Sequence, residues 1–142
     1  MVLGEKLWEG KGKSAGPSYI ESIEADGVKS MFAWTAELKG MGKAKGIDGM
    51  LNVTAKSTTP PKGVAAAKDK AMFMTMAGDM AVMRGLDLMK MTMGTNPSSV
   101  GLWSFMTMSP KLAWMNDVIA IATIQATDPM WMEFTLTIYE WK

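Results

Sequence analysis

Apolar residues in this chain return at every second position rather than every third or fourth, and that spacing constrains the fold more than any other feature. Segments such as SMFAWTAEL, MLNVTAKS, LWSFMTM, VIAIATIQAT and WMEFTLTIYEW are rich in β-branched, aromatic and methionine side chains, which suit a pleated, half-buried surface. Turn-forming clusters separate them: Gly10 to Pro17, Asp26-Gly27, Gly40 to Gly49, Thr58 to Gly63, Ala77 to Asp79 and Gly94 to Ser99. Strand-length pieces joined by short turns predict an antiparallel all-β domain of about eight or nine strands. In GVAAAKDK the proline-glycine turn before Ala65 favours a strand over a helix. One segment departs from the period. Ser109-Pro110 followed by KLAWMN has a capping residue, a proline at the first helical position and room for a turn or two, so a short helix is expected near residues 109–116.

A chain of 142 residues suits a single domain spanning 1–142 with a sizeable core. Its strands could stack as a sandwich or close into one antiparallel β-barrel. Closure removes exposed edges, and Gly85 and Gly101, inside otherwise regular strands, suit the coiling a small barrel demands. The barrel is the expected architecture.

Composition removes several chemistries. There is no cysteine and no histidine, so disulfides, thiolate sites, the usual zinc ligands and histidine-dependent triads are excluded. Fifteen basic and fourteen acidic residues leave a net charge of +1, and Arg84 is the single arginine. That balance argues against a nucleic-acid partner held by phosphate contacts. No apolar run approaches the roughly 18 residues of a membrane helix, and MVLGEKLWEGKGKS lacks a secretory apolar core. A cytoplasmic protein with no cofactor is expected.

Residues 71 to 94 carry eight methionines. Residues two apart on a strand share a face, so Met72, Met74 and Met76 align, as do Met83, Met89, Met91 and Met93. A two-residue turn at Ala77-Gly78 would set Met72 opposite Met83 and join both rows on one face, while a slip of one residue would separate them. Arg84 and Lys90 share the other face of the second strand, so the methionine face is expected inside. Thioethers are soft ligands, which makes Met72, Met74 and Met83 weak candidates for Cu(I), but without histidine or cysteine core filling is the simpler account. Asp87 interrupts this face. Pointing inward, it must be hydrogen-bonded, paired or protonated, and could then act as a proton acceptor. A local bulge at Gly85 turning it to solvent is the simpler arrangement.

Six tryptophans, at 8, 34, 103, 114, 131 and 141, are expected in the core or at subunit contacts, though convergent ones could stack a planar ligand. Trp34 and Trp103 fall mid-strand, and Trp114 is placed to cap one mouth of the barrel. GKGKSAG at 10 to 16 resembles a phosphate loop only in composition, since Leu7 stands where the first glycine is required and no helix follows. The lysines of KGMGKAKG, 39 to 46, read as a solvated turn at the barrel rim.

The stretches GEKLWEGKG (4 to 12), PKG (61 to 63), Ala77 to Gly85, SPKLAWMN (109 to 116) and YEWK (139 to 142) together resemble a family of small prokaryotic single-domain proteins. The resemblance implies a β-barrel of the allene-oxide-cyclase or dirigent type, with no established activity and hence no catalytic residues to carry over. Methionines such as Met83 and Met89 stand where that family would hold glycine, aromatic or polar residues. The leading expectation is a barrel that binds a small apolar molecule, lined by Met72, Met74, Met83, Met89, Met91, Trp34 and Trp103, in a homo-oligomer. Its rivals are a cofactor-free isomerase or cyclase assisted by Asp87, a soft-metal protein using the thioethers, and a structural barrel with a filled core.

Overall fold

A computed structural model describes residues 3–90 and 94–142. Nine strands follow the expected spacing: β1 (Leu3–Ser14), β2 (Tyr19–Glu24), β3 (Gly27–Gly40), β4 (Gly49–Thr59), β5 (Ala65–Thr75), β6 (Met80–Lys90), β7 (Ser98–Met106), β8 (Ile119–Ala126) and β9 (Glu133–Trp141). Neighbours pair antiparallel in the order β1-β9-β8-β7-β6-β5-β4-β3, and β1 pairs back onto β3, closing an eight-stranded barrel. β3 outruns β1. Its second half, Trp34 to Gly40, takes β1, while its first half, Gly27 to Met31, takes the extra strand β2. Closure and this added strand satisfy hydrogen-bonding groups that an open sheet would leave free.

Gly10 and Gly12 lie within β1 rather than in the expected turn. A Cβ at Gly10 would overlap the carbonyl oxygen of Glu37, and one at Gly12 would overlap the Phe134 ring. They permit close approach of a neighbouring strand and an aromatic ring, not chain reversal. The expected short helix is a 3-10 helix, Pro110–Asp117, with proline at its start. Ser109 precedes it, but its hydroxyl donates to Asp79 Oδ1 at 2.8 Å instead of capping the helix.

The methionine rows do not meet on one face. Between β5 and β6 the chain reverses through four residues, 76 to 79, with Thr75 N–H donating to Asp79 O and Gly78 N–H to Thr75 O. Met74 therefore pairs with Met80, Met72 with Val82 and Ala71 with Met83. Relative to the two-residue turn, this register differs by one position, and it sends Met72 and Met74 outward while Met83 is fully buried. Met72, Met74 and Met83 thus lie on opposite faces of the wall and do not converge on a metal. Mild peroxide treatment with peptide mapping should convert Met74, Met76, Met106 and Met108 to sulfoxide at least about tenfold faster than Met83 and Met115. Equal oxidation of Met83 and Met74 would contradict this register.

The inside of the barrel has two unlike halves. At the end closed by the 3-10 helix, Trp8, Leu38, Leu51, Phe73, Leu112, Met115 and Ile138 are buried together. Trp8 stacks on Trp114 at 5.9 Å, meets Phe73 edge-on at 5.6 Å, and donates from Nε1 to the Ile47 carbonyl at 2.9 Å. Trp114 caps this mouth, as its place on the helix suggested. The rim turn carries Lys43, which bridges to Glu140 at 2.8 Å. Towards the other end, the inward positions change to Ala55, Ser57, Ala65, Ala67, Gly85, Gly101 and Ser99. Trp103 and Asp87 cover the two glycines, but the small side chains of Ser57, Ala67 and Ser99 leave space between them and the rings of Trp34 and Phe134.

Candidate functional site

The half away from the 3-10 helix, taken as the upper half, with the helix-closed end as the lower, holds a cavity of about 220 Å³. Phe32, Trp34, Phe134 and Trp131 supply aromatic walls; Ser30, Ser57 and Ser99 supply hydroxyls; Asp69 and Asp87 supply two carboxyl groups. Exposed Ser18 and Met130 are at its border, so it reaches the surface at this end. The volume is below the roughly 300–1,000 Å³ typical of drug-sized sites and suits one small molecule.

Asp87 is built into the wall by a reciprocal arrangement of β6 and β7. Gly85 pairs with Trp103, and Asp87 pairs with Gly101. A Cβ on Gly101 would overlap Asp87 Oδ1, and one on Gly85 would fall 2.6 Å from Trp103 Cδ1. Each glycine makes room for the large residue opposite it. Trp103 Nε1 consequently donates to Asp87 Oδ1 at 3.1 Å. The strand pairs are regular here, with no bulge at Gly85, so Asp87 points inward instead of to solvent as the simpler expectation had it. It is only 4% exposed, and Oδ2 has no hydrogen-bond partner among the described residues. Burial raises its pKa to about 6, opposed in part by the Trp103 hydrogen bond.

Aromatic rings continue from this pair. Trp103 lies 6.2 Å from Trp34, which meets Phe134 edge-on at 5.2 Å, and Phe134 meets Trp131 at 6.1 Å. Trp131 holds a left-handed backbone conformation, φ +57°, unusual for a residue with a bulky side chain. The turn around it is clamped by Asp128, whose carboxylate accepts from the N–H groups of Met130 (2.8 Å), Met132 (3.1 Å) and Glu133 (2.8 Å). Those bonds hold the Asp128 carboxyl below its ordinary pKa. Trp131 Nε1–H is buried without an acceptor among the described residues.

Of the residues expected to line a ligand site, Trp34 and Met89 border the cavity. Trp103 and Met83 are buried in the wall and core beneath. Met72 and Met74 are on the outer surface; Met91 lies outside the described residues. The expected methionine lining is replaced by serines, alanines, aromatic rings and carboxyl groups. Asp69, Trp131, Phe134 and the three serines were not anticipated as a group. Asp69 had a signal: it shares its alternation with Ala65, Ala67, Ala71 and Phe73, while Lys68 and Lys70 take the other face.

No family model and no curated protein sequence matches the chain. Solved structures do match its fold. A β-barrel-like protein from Acinetobacter baumannii AYE superposes with a TM-score of 0.82 at 16% identity, over 99% of this chain and 96% of that one. A protein of unknown function from Clostridium acetobutylicum ATCC 824 gives 0.81 at 12% identity, over the whole of both chains. An enzyme from Penicillium herquei gives 0.66 at 19% identity, over 96% of this chain and 92% of that one. The class that fold and likeness define is a small closed β-barrel, with neighbours that include proteins of unknown function and one enzyme. Among the described residues, no helix is long and apolar enough to cross a membrane.

Proposed function

We propose that the protein binds one small molecule in the upper cavity, its flat apolar body against Trp34, Phe32 and Phe134 and a polar group at Asp87. The observation that carries this reading is Asp87 itself, buried in the cavity wall with one carboxyl oxygen unpartnered. Leaving such an atom unmatched costs roughly 1–3 kcal/mol, a cost that a ligand donating a hydrogen bond would offset. A barrel with a filled core is disfavoured by the run of small inward residues around that carboxyl group. We further infer a barrel of the allene-oxide-cyclase or dirigent type, a cytoplasmic location and a homo-oligomer. Association is supported by the exposed outer residues Leu86, Leu88, Val100 and Leu102 on adjacent strands.

Native mass spectrometry of protein purified from its own source reads both subunit number and retained ligand. A bound small molecule is expected in the unmodified protein and not in Ala67→Leu, which fills the cavity from β5. Ala67→Leu should change stability by less than about 1 kcal/mol, whereas Ala81→Leu, in the packed lower half, should cost roughly 1–3 kcal/mol by overpacking. Equal costs for the two variants, or a ligand retained by Ala67→Leu, would place binding elsewhere.

A further inference from the structure

We propose that Asp87 is a general base that removes a carbon-bound proton from a planar carbonyl compound held in the upper cavity, with Trp131 Nε1–H donating to the carbonyl oxygen. This rests on the reading of the cavity as a ligand site and adds a reaction to it. Two polar atoms of cavity-lining residues lack partners among the described residues, and they are complementary. An ionised carboxylate only accepts; an indole N–H only donates. Enolisation requires that combination: an acceptor for the proton leaving carbon, and a donor for the oxygen that gains the electron pair. In the step, the C–H bond breaks and its electron pair forms a C=C bond. The carbonyl π pair moves to oxygen, and the proton goes to Asp87 Oδ2. Where the compound carries a β,γ double bond the enolate extends into a dienolate; return of the proton to its γ-carbon gives the conjugated isomer and restores Asp87, so no oxidant, reductant or co-reactant is consumed.

The surroundings agree with this role. Trp34 and Phe134 offer ring faces and edges to a flat ligand. Trp103 holds Oδ1, leaving Oδ2 as the reacting oxygen. Burial raises the Asp87 pKa to about 6, which keeps it mostly ionised at neutral pH yet more basic than an ordinary carboxylate. The facing strands add one titratable group: Asp69 on β5 lines the same cavity, while β7 contributes Ser99, Gly101 and Trp103. Lys68, Lys70 and Arg84 belong to the exposed face of β5 and β6. No cation is among the described lining residues to hold the carboxyl groups ionised.

The probe is 5-nitrobenzisoxazole, a flat bicycle: a base takes its ring C–H proton, the C–H electron pair completes a C≡N bond, and the N–O bond breaks with its pair left on oxygen as a phenolate. Binding is measured separately by tryptophan fluorescence quenching. The expected result is saturable binding, with a rate that rises with pH around a midpoint near 6. The rate should fall at least about 100-fold in Asp87→Asn and roughly tenfold in Trp131→Phe, where the donor to the departing oxygen is lost. Binding without acceleration, or acceleration that survives Asp87→Asn, would overturn the proton-transfer role and leave the ligand site standing. Failure of the probe to bind would remove both.

Discussion

Replacing Asp87 by asparagine is expected to stabilise the protein at pH 8 by about 1–3 kcal/mol while leaving it nearly unchanged at pH 4. The sign follows from the direction of the pKa shift. Burial raises the folded-state pKa to about 6 from an ordinary 3.8. Between those values the folded state binds more protons than the unfolded chain, so stability falls as pH rises through this window. Below it the carboxyl group is protonated in both states and costs nothing; above it the whole penalty is present. A separation of this size corresponds to about 3 kcal/mol, and asparagine removes the charge while keeping an oxygen to accept from Trp103 Nε1. Part of the gain is offset because the new amide N–H₂ stands where Oδ2 had no partner. Urea unfolding of both proteins at pH 4, 6 and 8 checks this. A variant less stable than the parent at pH 8 would mean that Asp87 is matched by a cation or a donor. A residue that destabilises its own fold at neutral pH fits a functional group better than a structural one.

Trp8→Ala should have the opposite effect, with a loss of about 3–5 kcal/mol at every pH. Trp8 is 1% exposed, and its indole joins the β-wall to Trp114 on the 3-10 helix and to the rim turn through Ile47. Truncation would leave a large cavity, strand Trp114 without its stacking partner and orphan a carbonyl group. The thermal midpoint should drop by on the order of 10 °C, with the urea m-value unchanged if unfolding remains two-state. A loss below about 1 kcal/mol would show that the lower plug is not the main source of stability. Together the two variants separate the halves of the barrel, one packed for stability and the other left open.

Much of this division can be read from alternating residues. On β5, Ala65, Ala67, Asp69, Ala71 and Phe73 take one face and Lys68, Lys70, Met72 and Met74 the other. Lysines seldom face a barrel interior, so Lys68 and Lys70 already assign Met72 and Met74 to the outside. The shorter turn assumed at Ala77-Gly78 overrode that signal. Asp87 was correctly placed on the same face as Met83 and Met89, but its inward orientation depended on Gly101, fourteen residues away in the chain and directly opposite in the sheet. Trp131 was visible only as one tryptophan among six. Its conformation is set by three backbone hydrogen bonds to Asp128.

By itself, the order of residues determined the strand period, the places where the chain turns and the absence of histidine and thiol chemistry, because these depend on local alternation and composition. Tertiary structure alone decided which methionines are buried, because setting Thr75 opposite Asp79, around a turn one residue longer than Ala77-Gly78, shifts the pairing register by one position. It also decided that one half of the lumen is filled and the other open. That outcome depends on inward side chains contributed by eight strands at one level of the barrel, a sum no single strand contains.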